Sequence, residues 1–280
     1  MRAFRIAYDG RPYYGFQRQP DVPTVEDALF DALRDLGVLC ADAPKPEGYA
    51  AAGRTDAGVS ALAQTVAFDA PDWLTPRALN GGLPTEIRAW ASTDAPPDFH
   101  ATHHASAREY TYHLYAPLEG DAEEFDTPVD DDRFRAALEA LSGPHDFHNL
   151  TPDGHNTERS PDLEACRDGE YLVVSVRAGG FCRELVRRLV SLAHVVGTGE
   201  EPLSKVDRTL SPESLPGHEG IAPAPAEPLV LTHVEYPNLE FSVDGEAAAV
   251  AREIFDRRRR ERRTRARVSR QLQAGIGDLE

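Results

Sequence analysis

The alternation of apolar and polar residues predicts the elements at the start of the chain. Residues 4–8 alternate as a half-buried strand does, and Asp9-Gly10 follows them as a turn. Thr24 and Asp27 form a pattern typical of a capping box at the start of a helix. Four apolar residues of that helix lie on one face before Gly37 ends it: Val25, Leu29, Leu33 and Leu36. The pattern therefore predicts a strand, a turn and an amphipathic helix.

The same two periodicities predict further elements. Strands are expected at three places: residues 64–68, 110–115 and 171–176. In the second of these, alternate residues share one face: Tyr110, Tyr112 and Leu114. A helix that ends at Gly143 has three apolar residues on one side: Phe134, Leu138 and Leu141. After a turn at Gly179-Gly180, another helix is predicted over residues 181–196.

The order of these elements predicts an α+β fold class. Two similar α+β halves, residues 1–105 and 106–237, would share one mostly antiparallel sheet. Residues 238–280 form an arginine-rich extension, either helical or disordered. Residues 118–132 are predicted to be a solvated connection because they are acidic and contain Gly and Pro. Residues 199–228 are rich in Pro, Glu and Ser and are predicted to be an exposed insertion.

Cysteine spacing and hydropathy narrow the class of protein. The three cysteines are far apart and form no C-x-x-C pair, which indicates neither a zinc site nor a disulfide framework: Cys40, Cys166 and Cys182. No apolar run approaches the length of a membrane span, and the first residues lack the apolar core of a signal peptide. The sequence therefore predicts a cytoplasmic protein.

The charge balance is strongly acidic. The 280 residues carry a net charge of −17, with 47 acidic and 30 basic residues, and the lysines are Lys45 and Lys205 alone. An acidic, lysine-poor surface indicates a protein that stays soluble at high salt, although a GC-rich genome would also favour arginine over lysine. Any site for a polyanion must then be a local basic patch.

A single carboxylate lies in a run of small residues from Ala52 to Val59. Glycine and alanine there let the backbone approach a ligand closely. Arg54 and Asp56 are close enough in sequence to pair, and a cation beside a carboxylate keeps it ionised. The segment is either a structural Arg–Asp pair in a glycine turn or a reactive carboxylate that a large substrate can reach.

The residues from Gly53 to Val59 resemble the signature of the tRNA pseudouridine synthase A family, in which the aspartate is the catalytic nucleophile. Other segments resemble that family in the same order: Tyr8-Asp9-Gly10, Tyr13-Tyr14-Gly15-Phe16-Gln17, Asp98-Phe99-His100-Ala101, Ala105 through Tyr112, Phe181 with Leu185-Val186-Arg187, and Ala224 through Tyr236. The resemblance covers residues 1 to about 237 and is therefore nearly full-length.

The resemblance implies the pseudouridine synthase fold, with a central cleft that binds RNA. It also implies an enzyme that isomerises uridine to pseudouridine in the anticodon stem-loop of tRNA, with Asp56 as nucleophile. No cofactor or metal is expected, because the reaction has no redox step and loses no atom. The implied partner is tRNA, and the implied assembly is a homodimer.

Two further catalytic residues follow from the resemblance. Tyr110 matches the tyrosine that packs on the target uracil, although a strand tyrosine is also an ordinary core residue. Arg187 matches the arginine that pairs with the catalytic aspartate, although it could instead be a surface arginine, the role predicted for Arg188. Arg54 matches an arginine that contacts RNA and helps displace the base.

Several other residues are candidates for RNA contact. Gln17 and Arg18 lie in a loop that interleaves aromatic, amide and basic side chains, as suits RNA loops, with a core role for Phe16 as the alternative. His100 belongs to a family motif. A metal site at His100, His103 and His104 is not predicted, since no cysteine or acidic ligand has suitable spacing. RNA contact or polar packing is preferred.

The C-terminal extension reverses the charge of the chain. Residues 252–270 hold ten arginines and three acidic residues, a local charge of +7, so the other 261 residues carry −24. Its composition favours a helix. Such charge runs are usually solvated helix faces or disordered tails. Against an acidic background, contact with RNA phosphates is favoured for the most concentrated cluster: Arg257, Arg258, Arg259 and Arg260.

Two other functions compete with the isomerase. A non-catalytic RNA-binding protein could retain the fold, but binding alone does not require a carboxylate that faces a polyanion. A nucleoside or glycosidic hydrolase would require a second positioned carboxylic acid, and the motifs offer one. The isomerase is therefore the favoured function.

Overall fold

The structure, a computed structural model, describes residues 1–120, 122–123 and 126–276. Its strands are β1 (Arg2–Tyr8), β2 (Ala50–Ala51), β3 (Ser60–Phe68), β4 (Ile87–Asp94), β5 (Ala107–Tyr115), β6 (His145–Asp146), β7 (Glu158–Arg159), β8 (Asp162–Asp168), β9 (Tyr171–Ala178), β10 (Leu229–Glu235) and β11 (Ser242–Val243). Its helices are α1 (Val25–Asp35), α2 (Pro76–Asn80), α3 (Asp131–Leu141), α4 (Leu185–Gly197), α5 (Ser204–Thr209) and α6 (Gly245–Gly275), with 3₁₀ turns at His148–Leu150 and Gly217–Glu219.

Nine strands form one sheet in the order β11-β4-β1-β3-β10-β5-β9-β8, with β2 paired to β3 outside this path. Neighbouring strands are antiparallel except β3 and β10, which are parallel. The α+β fold class with a mostly antiparallel sheet is thus confirmed. The pairing of β3 with β10 joins strands from before and after residue 105 into one sheet. The residue ranges given for the two halves remain a prediction.

Local sequence determines the bounds of α1, as predicted. The Thr24 hydroxyl accepts a hydrogen bond from the Asp27 amide and so caps the first turn. Gly37 follows the last turn with φ of +70°, a conformation that favours glycine. Val25, Leu29 and Leu33 are fully buried beneath the helix. The capping residues and the apolar stripe were therefore sufficient to locate this helix.

The helix predicted over residues 181–196 begins only at Leu185, so that prediction is wrong for its first four residues. Glu184 has φ of +62°, and a right-handed helix cannot include such a residue. Phe181 therefore lies in a loop before α4. The helix then continues to Gly197 with its apolar side buried.

The segment predicted as an exposed insertion is partly structured. It contains α5, in which Val206 and Thr209 are buried and which packs against α3. The prediction is therefore wrong for these residues, because two side chains anchor the segment to the core. The described part of residues 118–130 has no helix or strand, whereas the last two residues of the predicted connection, Asp131 and Asp132, already belong to α3.

The C-terminal extension is a helix, which confirms that part of the fold prediction. Asp244 caps α6 by accepting a hydrogen bond from the Ala247 amide. Alanines of its first turns are buried, and the helix lies against β4, whereas residues 259–276 are all exposed. Its 31 residues correspond to a length of about 46 Å. Within the described residues, no helix combines the length and the apolar character that crossing a membrane requires.

Candidate active site

A cleft with a volume of about 1200 Å³ lies where the loop before β3, the strand β5 and the start of α4 converge. Its wall includes Asp56, Tyr110 and Arg187, the three residues predicted to be catalytic. They come from positions up to 131 residues apart in the sequence. The fold therefore brings these three side chains into one cavity.

The loop that carries Asp56 is anchored to β3, to the end of β1 and to the loop that follows β1. The side-chain amide of Gln64 donates to the Gly53 carbonyl at 2.8 Å. Thr55 is held twice, because its hydroxyl lies 2.8 Å from the Tyr8 hydroxyl and its carbonyl accepts from the Phe16 amide at 3.0 Å. The residue before Asp56 is therefore fixed, which sets the direction of the Asp56 side chain.

Asp56 is paired with Arg187. The Nη1 atom of Arg187 lies 3.4 Å from Oδ2 of Asp56, and its Nε donates to the Ala224 carbonyl at 2.6 Å. Burial raises the pKa of Asp56 above its usual value, and the charge and hydrogen bond of Arg187 oppose that rise. The carboxylate of Asp56 thus has one guanidinium beside it. Because 30% of the Asp56 side chain is exposed, its other side is open to the cleft.

Arg54 does not pair with Asp56. Its side chain is exposed, and within the described part of the chain it forms neither an ion pair nor a hydrogen bond. The structural Arg–Asp pair that the sequence allowed is therefore not present. Arg54 remains at the rim of the cleft, where a ligand can meet it.

Tyr110 forms an aromatic wall beside Asp56. Its ring packs edge-on against Phe181, with the ring centroids 5.3 Å apart. Burial, together with the nearby Asp56 charge, raises the pKa of Tyr110 to about 12, although Arg108 opposes the rise. The hydroxyl is therefore protonated at neutral pH. Tyr112, two residues on, is 1% exposed and belongs to the core.

Arg108 was quoted in a motif but assigned no role in the sequence analysis. Its guanidinium is buried and donates to the carbonyls of Ala52 and Thr102 and of Gly179 at 2.6–3.0 Å. It therefore ties the start of the Asp56 loop to the turn before α4. The alternation along β5 could have indicated only that Arg108 lies on the same face as Tyr110, not which carbonyls it contacts.

The loop before α1 contributes residues both to the wall of the cleft and to the hydrophobic core. Gln17 is exposed and lines the cleft. Arg18 also lines it, but its guanidinium already pairs with Asp27 at 2.7 Å and lies 5.6 Å from the centre of the Phe30 ring. Phe16 is 1% exposed, so it has the core role that the sequence left open.

The three histidines form a small polar cluster at the cleft. The amide of His100 donates to Nδ1 of His104, and the His100 and His103 rings lie 4.2 Å apart. Burial and the two neighbouring histidines lower the pKa of His100. No group of three metal-ligating side chains occurs in the described residues. The cluster thus shows polar packing, and His100 also faces the cleft.

The arginine cluster on α6 divides between two sides of the helix. Arg257, Arg259 and Arg260 are exposed, and the latter two pair with Asp256 on the helix itself. Arg258 is directed inward and is 16% exposed. Arg188, predicted to be a surface arginine, is instead half-buried. It pairs with Glu184, a correction that follows from the late start of α4.

Comparisons with known proteins identify the family of this chain. Residues 137–237 match the family model described as tRNA pseudouridine synthase. A protein of Haloarcula marismortui named tRNA pseudouridine synthase A is 60% identical, and the match covers 99% of this chain and all of that one. Proteins of the same name from Natronomonas pharaonis and Methanosarcina mazei are 57% and 37% identical, over 96% and 84% of this chain and 97% and 84% of theirs.

A solved structure, the archaeal box H/ACA sRNP Nop10-Cbf5 complex, matches with a TM-score of 0.31 and 18% identity, over 67% of this chain and 45% of that one. A similarity this low adds nothing to the family assignment. The sequence relatives are sufficient, because several exceed 30% identity over more than two thirds of the chain. The chain therefore belongs to the tRNA pseudouridine synthase A family, a family of isomerases.

Proposed function

We propose that this protein converts uridine to pseudouridine in the anticodon stem-loop of tRNA, with Asp56 as the nucleophile and without a cofactor. The observation that carries the proposal is the Asp56 carboxylate, which lies in the cleft beside one guanidinium and keeps an open side. A carboxylate acting near an anomeric carbon is an established solution in glycoside chemistry. The family assignment supplies tRNA as the substrate.

The reaction balances without any added reagent. The N1–C1′ bond of uridine breaks, the uracil turns over, and C5 joins C1′. C5 loses its proton and N1 gains one. Asp56 either attacks C1′, adds to C6 of the ring or removes a proton from the sugar, and each route begins from the ionised carboxylate. Since no electron leaves the substrate, the isomerisation requires no redox group.

Arg187 and Tyr110 support this chemistry in different ways. Arg187 favours the ionised form of Asp56, and its second hydrogen bond to Ala224 holds the guanidinium in place. Tyr110 and Phe181 offer aromatic surfaces against which an extruded uracil can pack. With a protonated hydroxyl, Tyr110 acts as a hydrogen-bond donor or as a proton donor rather than as a resting base.

The cleft is large enough to hold more than one nucleotide, and its rim supplies candidate RNA contacts. Arg54, Gln17, Arg18 and His100 lie on its wall. Arg257, Arg259 and Arg260 provide exposed positive charge on α6 for phosphates. Arg258 differs because its guanidinium is already engaged inside the protein. We therefore do not propose that Arg258 contacts an RNA phosphate.

The assembly and setting of the enzyme belong to the same proposal. The family resemblance supports a homodimer in which each tRNA contacts both subunits, and a cytoplasmic location. The net charge of −17 with two lysines supports an acidic surface suited to high salt. Local positive charge on α6 would then direct the tRNA to one part of that surface.

Mapping of pseudouridine on unmodified tRNA transcripts tests the proposal, at low and at molar salt. The wild type is expected to form pseudouridine in the anticodon arm, and Asp56→Asn is expected to form none while still binding tRNA. Asp153→Asn is a matched control, because Asp153 is a second carboxylate on the cleft wall and pairs with Arg183. Turnover by Asp56→Asn would show that Asp56 is not the nucleophile. Release of free uracil would indicate a hydrolase, and tRNA binding without any product would indicate an RNA-binding protein.

A further inference from the structure

Asp9, the residue directly after β1, is a buried carboxylate surrounded by arginines. Its side chain is 7% exposed and pairs with three guanidinium groups: Arg11 at 2.8 Å, Arg258 at 3.1 Å and Arg262 at 2.5 Å. Two of these three come from α6, some 250 residues later in the sequence. A buried carboxylate requires such pairing. Arg11 pairs with both oxygens of Asp9 from within the same loop, and the docked C-terminal helix supplies the other two guanidinium groups, both at Oδ2.

Arg258 also reaches a second carboxylate at the same edge of the sheet. Its Nη2 donates to Glu86 at 2.5 Å while its Nη1 contacts Asp9, and the Asp9 amide donates to the Glu86 carbonyl. Burial would raise the pKa of Glu86, but hydrogen bonds from its own amide and from Arg258 outweigh it, so that the pKa is lowered. One guanidinium therefore bridges the end of β1 and the start of β4.

The segment after Asp9 is in direct contact with the loop that carries Asp56. The Gly10 amide donates to the Ser60 hydroxyl, and the Gly58 amide donates to the Tyr13 carbonyl. The backbones also touch, because a Cβ atom on Gly10 would lie 2.0 Å from the carbonyl oxygen of Val59. A displacement of Asp9 would therefore move the Asp56 loop.

We propose that Asp9 is a positioning residue, and that Arg258 and Arg262 of α6 hold it so that Asp56 stays in register with Arg187. This rests on the proposed function, in which Asp56 is the reacting carboxylate. The C-terminal helix thus has two roles on two sides. Arg258 and Arg262 contact Asp9 and set the geometry of the Asp56 loop, whereas Arg257, Arg259 and Arg260 are exposed and are the arginines proposed for RNA phosphates.

A pair of double variants on the same helix tests the proposal. R258Q/R262Q removes the two guanidinium groups of α6 that contact Asp9, that of Arg258, which is 16% exposed, and that of Arg262, which is 45% exposed. R263Q/R267Q is the matched control, because it has the same i,i+4 spacing and the same loss of charge at exposed positions. The measurements are the single-turnover rate constant at saturating tRNA, the Kd for tRNA and Tm, all recorded well below the lowest Tm.

R258Q/R262Q is expected to lower the rate constant about tenfold, because small misplacements of a reacting group are costly, and to leave Kd within about twofold. R263Q/R267Q is expected to leave the rate constant unchanged. Equal rates for both pairs, or an effect of R258Q/R262Q on Kd alone, would overturn the proposal. If R258Q/R262Q does not fold, R258K/R262K, which retains both charges but loses the bridging fork, is expected to give an intermediate rate. An unchanged rate in that variant would also overturn it.

Wild type and Asp56→Asn are assayed beside these variants. Turnover by Asp56→Asn would remove the proposed nucleophile whatever the α6 variants do. Inactive Asp56→Asn together with a full rate in R258Q/R262Q would instead remove only the positioning role of α6. The two failures are therefore distinguishable.

Discussion

Asp9 and Asp56 lie in loops at the same edge of the sheet, one directly after β1 and the other shortly before the antiparallel strand β3. Their surroundings are opposite. Asp9 is 7% exposed and has three arginine partners, whereas Asp56 is 30% exposed and has Arg187 alone among the described residues. The negative charge of Asp9 is therefore balanced by its arginine partners, whereas Asp56 has no partner on the side that faces the cleft.

This difference separates a structural carboxylate from a reactive one. A carboxylate held by several guanidinium groups is a poor nucleophile, because any reaction must first break those pairs. Asp56 instead bears the cost of burial with one partner, and this raises its pKa. Incomplete pairing of this kind is typical of functional sites, where stability is exchanged for reactivity.

The largest expected effect is that of Asp56→Asn. Loss of the nucleophile should lower the single-turnover rate by about a thousandfold or more. The folded pKa of Asp56 is raised, so its ionised form disfavours folding at pH values above that pKa, and the neutral amide should not lower Tm. Kinetics and thermal unfolding at neutral pH check both statements. A drop in Tm with activity retained would show that Asp56 is a structural carboxylate rather than a reactive one.

Arg187→Gln should come next, with a loss of about tenfold to a hundredfold at neutral pH. Without this cation the pKa of Asp56 rises further, so the carboxylate is protonated at higher pH and the acid limb of the rate–pH profile moves upward. Arg177→Gln is the control, since Arg177 pairs with Glu109 and Glu235 instead. An acid limb that stays in place would show that Arg187 does not set the protonation of Asp56.

Asp9→Asn should act on stability first. The change removes the anion that three guanidinium groups share, and hydrogen bonds to charged groups contribute about 2 kcal/mol. Chemical denaturation should therefore show a loss of about 2 kcal/mol, with a rate loss of about tenfold at temperatures where the variant is folded. Unchanged stability would mean that the ion pairs at Asp9 contribute nothing net.

The smallest expected effect concerns the outward side of α6. A triple Gln variant of its exposed arginines should flatten the plot of log binding constant against log salt by about 2, with the rate at saturating tRNA unchanged. The three positions are Arg257, Arg259 and Arg260. A matched control replaces three arginines elsewhere whose side chains are at least 40% exposed: Arg133, Arg135 and Arg208. Equal slopes in both triple variants would indicate that this face of α6 is only a solvated surface and does not contact RNA phosphates.

Much of the fold could be predicted wherever the signal is local. Thr24, Asp27 and the apolar stripe located α1, and the alternation along β5 placed Tyr110 and Tyr112 on one face. The start of α4 could not be predicted, because its sequence is helix-forming and only the left-handed backbone at Glu184 delays it. Likewise, α5 depends on a few buried contacts in a segment whose composition indicates a loop.

The candidate site divides in the same way. The small residues around Asp56 indicated a candidate carboxylate but left a structural Arg–Asp pair open, and the resemblance to the family signature favoured the reactive role. Its pairing with Arg187 followed from resemblance, and the structure shows the contact at 3.4 Å. The role of Arg108 in anchoring the Asp56 loop was not predicted. Its hydrogen-bond acceptors are carbonyls from three separate segments, and sequence spacing carries no information about such groups.

The sequence by itself predicted the class of fold, favoured a helix in the extension and indicated the carboxylate to consider first, because these depend on local patterns and motifs. Tertiary structure alone decided which arginines meet which carboxylates. Arg258 and Arg262 reach Asp9 across 249 and 253 residues, while their neighbours on α6 remain in solvent. The physical reason is that helical periodicity assigns side chains to faces, but only docking of the helix determines what each face contacts.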